Sequence, residues 1–219
     1  MFASFFMMCR VGSDALLDLL FPPSLRVARV RAYTPDSIHA DPRTHESAGM
    51  RITTLTRYHE SAIEDLVRAL KYEKSVHAAS LFARLLADYL LDAASELSLF
   101  SHRELAIIPM PLAPQRERER GYNQIAFVLK QAPLRDTGIT LRTDLLMRVI
   151  ETPPQTRLSR DMRLKNVKGA FAVPDGADLS HLHIFLIDDV TTTGATLTEA
   201  ARILKRNGAN VTALAFAHA

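Results

Sequence analysis

The sequence is short of the residues that build covalent and metal frameworks. It holds one cysteine, Cys9. An intrachain disulfide and a zinc site made of several cysteines are therefore excluded. A reducing cytoplasm is the setting this implies. Tryptophan is absent, and aromatic residues make up 7% of the chain. Glycine is sparse, and neither G-x-G-x-x-G nor a glycine run ending in Gly-Lys-Ser/Thr occurs. That removes the dinucleotide fingerprint and the P-loop. Neither sign of charge dominates, the formal net charge being +3, so bulk charge does not demand a nucleic-acid partner. No apolar run approaches the length of a membrane span, and membrane insertion is not expected. The opening MFASFFMMC has the apolar core of a signal peptide. It lacks a basic leader, is closed by Arg10 and is followed by no clean small-residue cleavage pattern.

What is present suits a globular protein. The chain of 219 residues is 47% hydrophobic and 23% charged, enough for one cored domain with a small appendage. Residues 14–20, DALLDLL, have the pattern of a short amphipathic helix stopped by Pro22 and Pro23. Residues 22–50 lack periodicity and are expected to be loop or linker. Order is expected from Arg51, which divides the chain into an N-terminal segment, 1–50, and a main domain, 51–219.

RITTLTRY has the β-branched content of a strand. Ile63, Leu66, Val67 and Leu70 share one helix face, and a second helix is expected from Val76 to about Ala94. LAIIPMPL predicts a strand running into a proline turn, followed by a helix from Tyr122 to Gln131. Residues 133–144 are expected as a turn region. LLMRVI, AFAV, HIFLI and VTALAFA predict strands. Thr196–Arg206 predicts a helix stopped at Asn207-Gly208. Strands alternating with helices give an α/β fold with a mostly parallel central sheet flanked by helices.

The chemistry concentrates at Ile184–Thr196, IFLIDDVTTTGAT. Four apolar residues suit a strand buried on both faces. Asp188 and Asp189 follow, beyond a strand's carboxyl end, where open parallel sheets bind ligands. Adjacent carboxylates there can accept hydrogen bonds from a ribose diol or help hold a divalent metal. Thr191, Thr192, Thr193, Gly194, Ala195 and Thr196 then form a small-residue loop entering a helix. Its N–H groups, hydroxyls and helix dipole all favour an anion. Thr196 and Glu199 have capping-box spacing. Taken singly, Asp-Asp could end a strand and TTTG could cap a helix. In this order they describe a phosphate cradle beside two carboxylates.

These residues resemble the motif with which type I phosphoribosyltransferases bind phosphoribosyl pyrophosphate (PRPP). The resemblance implies that Asp188 and Asp189 contact the ribose hydroxyls and that residues 191–196 cradle the 5′-phosphate. It also implies Mg²⁺ carried in with the pyrophosphate, near Asp188 and Asp189.

Two further segments narrow the likeness. IIPMPLAPQRERERGYNQ places Arg116, Arg118 and Arg120 before a helix. Arginine suits bidentate phosphate recognition, although the interleaved Glu117 and Glu119 also fit a solvated charge run. Residues 148–171 are polar and basic, with Arg157, Arg160, Arg163, Lys165 and Lys168, as lids and binding loops are.

Both segments closely resemble the ComF/GntX family of phosphoribosyltransferase-like proteins, associated with natural competence. The matching residues are Pro109, Pro111 and Leu112, then Arg120-Gly121-Tyr122-Asn123-Gln124. Arg148, Thr152, Gln155, Leu158, Arg163, Asn166 and Gly169-Ala170-Phe171 continue the pattern, and Lys71-Tyr72 fits upstream. The likeness runs from about Tyr58 to the C-terminus. It implies a type I phosphoribosyltransferase-like fold with a hood over residues 148–169. Pro109, Met110, Pro111 and Arg120 would line the pyrophosphate side. Arg120, Arg148 and Arg163 would join Asp188 and Asp189 in the reaction.

The family's N-terminal zinc ribbon is missing. LLDLLFPP resembles its lead-in, but the cysteines do not follow, so no zinc is expected. His39 and His45 are expected to be surface histidines.

The chemistry implied is displacement of pyrophosphate from C1 of PRPP by an acceptor the sequence does not name. Its transition state, by the same resemblance, is oxocarbenium-like. Tyr122 and Phe171 fit either stacking on a base or core packing. The alternative is a protein that responds to PRPP or a nucleotide without catalysis and binds single-stranded DNA through the basic segments 116–120 and 157–168. Monomer and homodimer both stay open.

Overall fold

The computed structural model describes residues 25–134, 137–150 and 167–219. Helix α1 (Leu25–Ala32) leads through a 3₁₀ turn to the hairpin of β1 (Arg43–Ser47) and β2 (Met50–Arg57). Helices α2 (Ser61–Tyr72) and α3 (Val76–Phe100) follow, then β3 (Glu104–Pro109), α4 (Pro114–Arg120) and α5 (Gln124–Leu129). The chain continues through β4 (Ile139–Leu141), β5 (Met147–Arg148), β6 (Phe171–Ala172), β7 (Leu182–Thr191), α6 (Ala195–Arg206) and β8 (Asn210–His218).

Six strands form one sheet in the order β1-β2-β8-β7-β3-β4. Every neighbouring pair is parallel except the β1–β2 hairpin. The sheet is thus mostly parallel and flanked by helices, as the alternating pattern predicts. β5 and β6 make a separate antiparallel pair.

β7 lies at the centre, and residues 182–187 are all buried. Successive side chains of a strand point to opposite faces, and each face has its own core. Phe185 and Ile187 pack with Leu66, Leu70, Phe82, Val128 and Phe216 under α2, α3 and α5. The rings of Phe82 and Phe216 stack at 4.6 Å. Ile184 and Leu186 pack with Leu197, Ala200, Ala201 and Leu204 of α6. Each fully buried side chain of this size contributes about 1.5–3 kcal/mol, which makes β7 a rigid mount for whatever follows it.

Several sequence expectations change. Residues 22–50 were expected as loop. From Leu25 onward they hold α1, the 3₁₀ turn and β1. Arg29 ties α1 to Asp65 of α2 through bonds of 2.7 and 2.9 Å. Arg26 bonds Glu73 at 2.7 Å. The expected division between residues 50 and 51 falls where β1 and β2 run antiparallel across the turn at Ala48–Gly49. β2 itself starts one residue before Arg51.

The expected 122–131 helix shortens to α5, and an additional helix, α4, precedes it. Pro114 takes the first position of α4, where its missing N–H costs nothing, and Gly121, at φ +75°, ends that helix. Asn123 then caps α5, its Oδ1 accepting the Ile125 and Ala126 N–H groups. The turn region 133–144 contains the edge strand β4, and the expected 145–150 strand contracts to β5. α3 runs on past Ala94 to Phe100. The expected 14–20 helix, Cys9, and residues 151–166 with Arg157, Arg160, Arg163 and Lys165 lie outside the described residues. Among the described residues no helix is long and apolar enough to cross a membrane.

Candidate functional site

The site begins where two adjacent strands part. β3 ends at Pro109, paired with Ile187, and the Met110 N–H makes a last bond of 2.7 Å to the Ile187 carbonyl. β7 continues to Thr191, held only by β8, with Asp188 opposite Ala215 and Thr191 opposite His218. The aspartates therefore lie within the strand, not beyond it as expected. Beyond Ile187 they have no β3 partner, and they stand at the carboxyl edge of the sheet, where open parallel sheets bind ligands.

The two carboxylates have different surroundings. Asp189 is buried, 6% exposed. Its Oδ2 accepts Gln124 Nε2 at 2.7 Å and lies 3.0 Å from Lys71 Nζ. Its Oδ1 accepts the Val190 N–H at 2.6 Å. Arg120 donates to Gln124 Oε1 in turn. One chain of contacts thus links Arg120, Gln124, Asp189 and Lys71.

Asp188 is only partly buried, and its Oδ1 accepts the Asp189 N–H at 2.8 Å. Loss of hydration and then the neighbouring Asp189 charge push its carboxyl up to about 7, against the pull of Lys71 and Arg148. Asp188 is therefore the carboxylate whose charge is least compensated. It accepts well from a hydroxyl or a cation brought by a ligand.

The threonine loop bends over the start of α6. Gly194, at φ +73°, takes the position before the helix and makes no side-chain cap bond, while Thr193 Oγ1 accepts the Ala195 N–H at 3.4 Å. The capping box expected from Thr196 and Glu199 does not form. Glu199 is drawn away by a tertiary partner: its Oε1 accepts the Gly169 N–H at 2.7 Å, and it pairs with Arg202 at 2.7 Å. The first N–H groups of an α-helix have no partner four residues back. With the helix dipole they make this end favourable to an anion. A pocket of about 370 Å³ borders the loop, lined by Thr191–Gly194 with His45, Ser47, Ile52 and His218.

The remaining expected residues sort by position. Pro109 closes β3. Met110 is buried, and its carbonyl accepts Asn123 Nδ2 at 2.9 Å, which ties the 109–112 turn to α5. Pro109 and Pro111 line a cavity of about 630 Å³ with Lys74, Tyr122, Phe127 and Arg148. A second pocket, about 560 Å³, is lined by Lys71, Tyr72, Arg116, Glu119, Arg120 and Tyr122. Arg116 and Arg120 thus face a common space, whereas Arg118 does not line it.

Arg148 stands over the Phe171 ring at 5.5 Å. Phe171 is buried, so packing is its role. Tyr122 packs edge-on to Phe127, and its hydroxyl donates to the Leu70 carbonyl. His45 is half-buried and stacked on His218 at 4.3 Å, not a plain surface histidine. Arg163 and most of the expected hood lie outside the described residues. Lys71 and Gln124 were not among the expected site residues. The only signal for them was their place in the family-like segments.

The donor set can be tested against Mg²⁺, which takes oxygen ligands in an octahedron and usually keeps waters and substrate phosphates. Asp189 is engaged by Lys71 and Gln124, and the described residues gather no group of three acidic, histidine or cysteine side chains that could hold a metal. An all-protein cage does not fit.

No family model matches the chain. The DNA utilization protein YhgH of Salmonella typhimurium is 35% identical over 144 residues, 66% of this chain and 61% of that protein. YhgH of Shigella flexneri is 32% identical over 159 residues, 73% and 67% of the two chains. Competence protein F of Haemophilus influenzae is 34% identical over 144 residues, 65% and 62%. The chain thus spans about three-fifths of the length of the first of these relatives. A solved hypoxanthine phosphoribosyltransferase from Staphylococcus aureus superposes on 69% of this chain and 61% of its own, at 12% identity and a TM-score of 0.32. The family assignment rests on the sequence relatives: at 32% identity over two thirds of a full-length YhgH, with the Asp-Asp-threonine loop in place, the chain belongs to the ComF family.

Proposed function

We propose that the chain binds PRPP and transfers its phosphoribosyl group to an acceptor with release of pyrophosphate. In this reading the 5′-phosphate sits on the 191–196 loop at the start of α6. The ribose hydroxyls donate to Asp188, while Asp189 fixes Lys71 and Gln124. The pyrophosphate lies toward Pro109–Pro111, Lys71 and Arg120, and Mg²⁺ would be carried in with it near Asp188 and Asp189. The family resemblance assigns residues 148–169, with Arg148 and Arg163, the part of a hood.

The C1–O bond to pyrophosphate breaks with its electron pair leaving on the pyrophosphate. The acceptor's lone pair forms the new bond at C1, and the acceptor gives up a proton. Mg²⁺, when bound, would neutralise charge on the departing group. The chain's own contribution is positive charge already in place at Lys71, Arg120 and Arg148. A hood that excludes water would keep hydrolysis from competing.

The carrying observation is the carboxyl end of β7, which has no β3 partner beyond Ile187. A carboxylate floor at Asp188–Asp189 has an anion-favouring helix start at one end and a lysine–arginine wall at the other. The test is thermal melting with PRPP and Mg²⁺, since a ligand specific to the folded state stabilises it. A rise is expected for the wild type and its loss in Asp188→Asn/Asp189→Asn. Equal behaviour of both proteins at saturating PRPP overturns the site. Pyrophosphate release across a panel of bases and amines then tests transfer.

A second reading, single-stranded DNA binding, gains from one observation. Tyr72 is 73% exposed and lies beside Arg120, whose guanidinium carbon is 6.0 Å from the ring centroid. Arg116 lines the same pocket. An exposed aromatic with arginines at its side is the combination that stacks a base and holds its phosphate. PRPP binding without turnover, together with oligonucleotide binding that weakens steeply with salt, would favour it.

A further inference from the structure

The strand with the weakest sequence signal stands directly behind the phosphate loop. β1 ends in Ser47, which is 4% exposed. Its hydroxyl donates to the Thr193 carbonyl at 2.5 Å, and its own carbonyl accepts Thr198 Oγ1 at 3.2 Å. From the neighbouring strand end, His218 Nε2 lies 3.2 Å from the Thr192 carbonyl. The His218 ring is itself held, stacked 19° from parallel on His45, whose Nε2 lies 3.3 Å from Thr54 Oγ1. Gly194 closes against the same wall. A Cβ there would meet Ile52 Cδ1 and lie 2.8 Å from Ser47 Cβ.

Two successive loop carbonyls are therefore turned to one wall. In a trans peptide the carbonyl and the following N–H point in opposite directions. Turning the Thr192 and Thr193 carbonyls toward His218 and Ser47 turns the Thr193 and Gly194 N–H groups away from them.

We propose that Ser47 and His218 are positioning residues for the phosphate loop: they hold its carbonyls so that the Thr193 and Gly194 N–H groups converge on the ligand's phosphate. Both act through the backbone carbonyls they hold, although they also line the pocket that borders the loop. The inference rests on the reading of 191–196 as the 5′-phosphate site. It assigns a functional task to the β1–β2 hairpin, which otherwise only widens the sheet. A preset loop binds more tightly than one that must be ordered by its ligand.

Calorimetry on the full chain separates the possibilities, with ribose 5-phosphate probing the loop and inorganic pyrophosphate with Mg²⁺ probing the opposite wall. Ser47→Ala and His218→Ala should each weaken ribose 5-phosphate by about tenfold, the effect of one hydrogen bond, and leave pyrophosphate unchanged. His218→Gln keeps a side-chain donor and should recover most of the loss. Amide exchange at Thr193 and Gly194 should quicken in both alanine variants, a readout independent of any ligand. Wild-type affinity for ribose 5-phosphate in both alanine variants overturns the proposal. So does an equal fall for both ligands, which would mark a general loss of folding. If the wild type binds pyrophosphate but no ribose 5-phosphate, the phosphate-loop reading itself fails and the inference falls with it.

Discussion

Lys71 Nζ lies 3.0 Å from Asp189 Oδ2, joining the last turn of α2 to the carboxyl end of the central strand. The pair is partly sheltered, with the lysine side chain 24% exposed and the aspartate 8%. Removing one member of such a pair strands the other charge. Lys71→Met should cost about 1–3 kcal/mol, less than a fully buried pair because water still reaches the lysine. It should also reduce the melting shift given by PRPP with Mg²⁺. Lys71→Arg keeps the charge and should lie between the two. A stable Lys71→Met protein with an undiminished PRPP shift would detach Lys71 from the site.

The Asp188 carboxyl, raised from 3.8 to about 7 by burial and by Asp189, makes stability depend on pH in a defined direction. Between those values the folded protein holds a proton that the unfolded chain has lost. Stability is then greater at the acid end and falls as pH rises from about 4 to about 7, levelling above. Asp188→Asn removes this slope. The difference in urea midpoint between variant and wild type should therefore be small near pH 4 and grow in the variant's favour by pH 8. A constant difference across that range would place the Asp188 carboxyl near its ordinary value.

Much of this was legible in the sequence, and the gaps have physical causes. α6 matches its expected bounds to within one residue and β7 its expected start, because a helical stripe and an apolar run are local signals, but β7 runs on through both aspartates to Thr191 because β8 continues to pair with it. β1 was missed because RTHES is polar and lies at the sheet edge, where only Ser47 is buried. Its strand character comes from pairing with β2. α4 was missed because PQRERER has no apolar stripe, and Pro114 looks like a breaker until its place at the helix start is known. Lys71 and Gln124 stood in the family-like segments, but their pairing with Asp189 was not legible: they come from two separate helices, and only the fold brings them to one oxygen.

Gly194 is the loop residue with the narrowest tolerance. It combines φ +73° with a wall that a methyl group would enter, at Ile52 Cδ1 and Ser47 Cβ. Gly194→Ala should destabilise the protein by about 2 kcal/mol or more through backbone strain and overpacking together. Ile52→Val deletes the Cδ1 atom in the way. The double variant should recover part of the loss, so the two changes will not be additive. Strict additivity in urea unfolding would mean that Ile52 and position 194 do not touch.

Glu199 fastens the far end of the 148–169 segment to α6. Its Oε1 accepts the Gly169 N–H, and Arg202 grips both carboxylate oxygens at 2.7 Å. Glu199→Ala leaves that N–H without its acceptor and should cost about 1–3 kcal/mol. Glu199→Gln keeps an acceptor oxygen, loses the charge on Arg202 and should cost less. The hydrogen bond from Arg202 holds the Glu199 carboxyl below its ordinary 4.5. The stabilisation it gives is therefore present above pH 4.5 and is lost as pH falls through the lowered folded value. If this bond anchors a cover over the ligand, Glu199→Ala should also quicken amide exchange at Gly169 and shorten the residence of bound PRPP. It should do so with the ribose 5-phosphate affinity of the loop largely unchanged. Faster exchange with an unaltered PRPP off-rate would leave Glu199 a role in packing α6 alone.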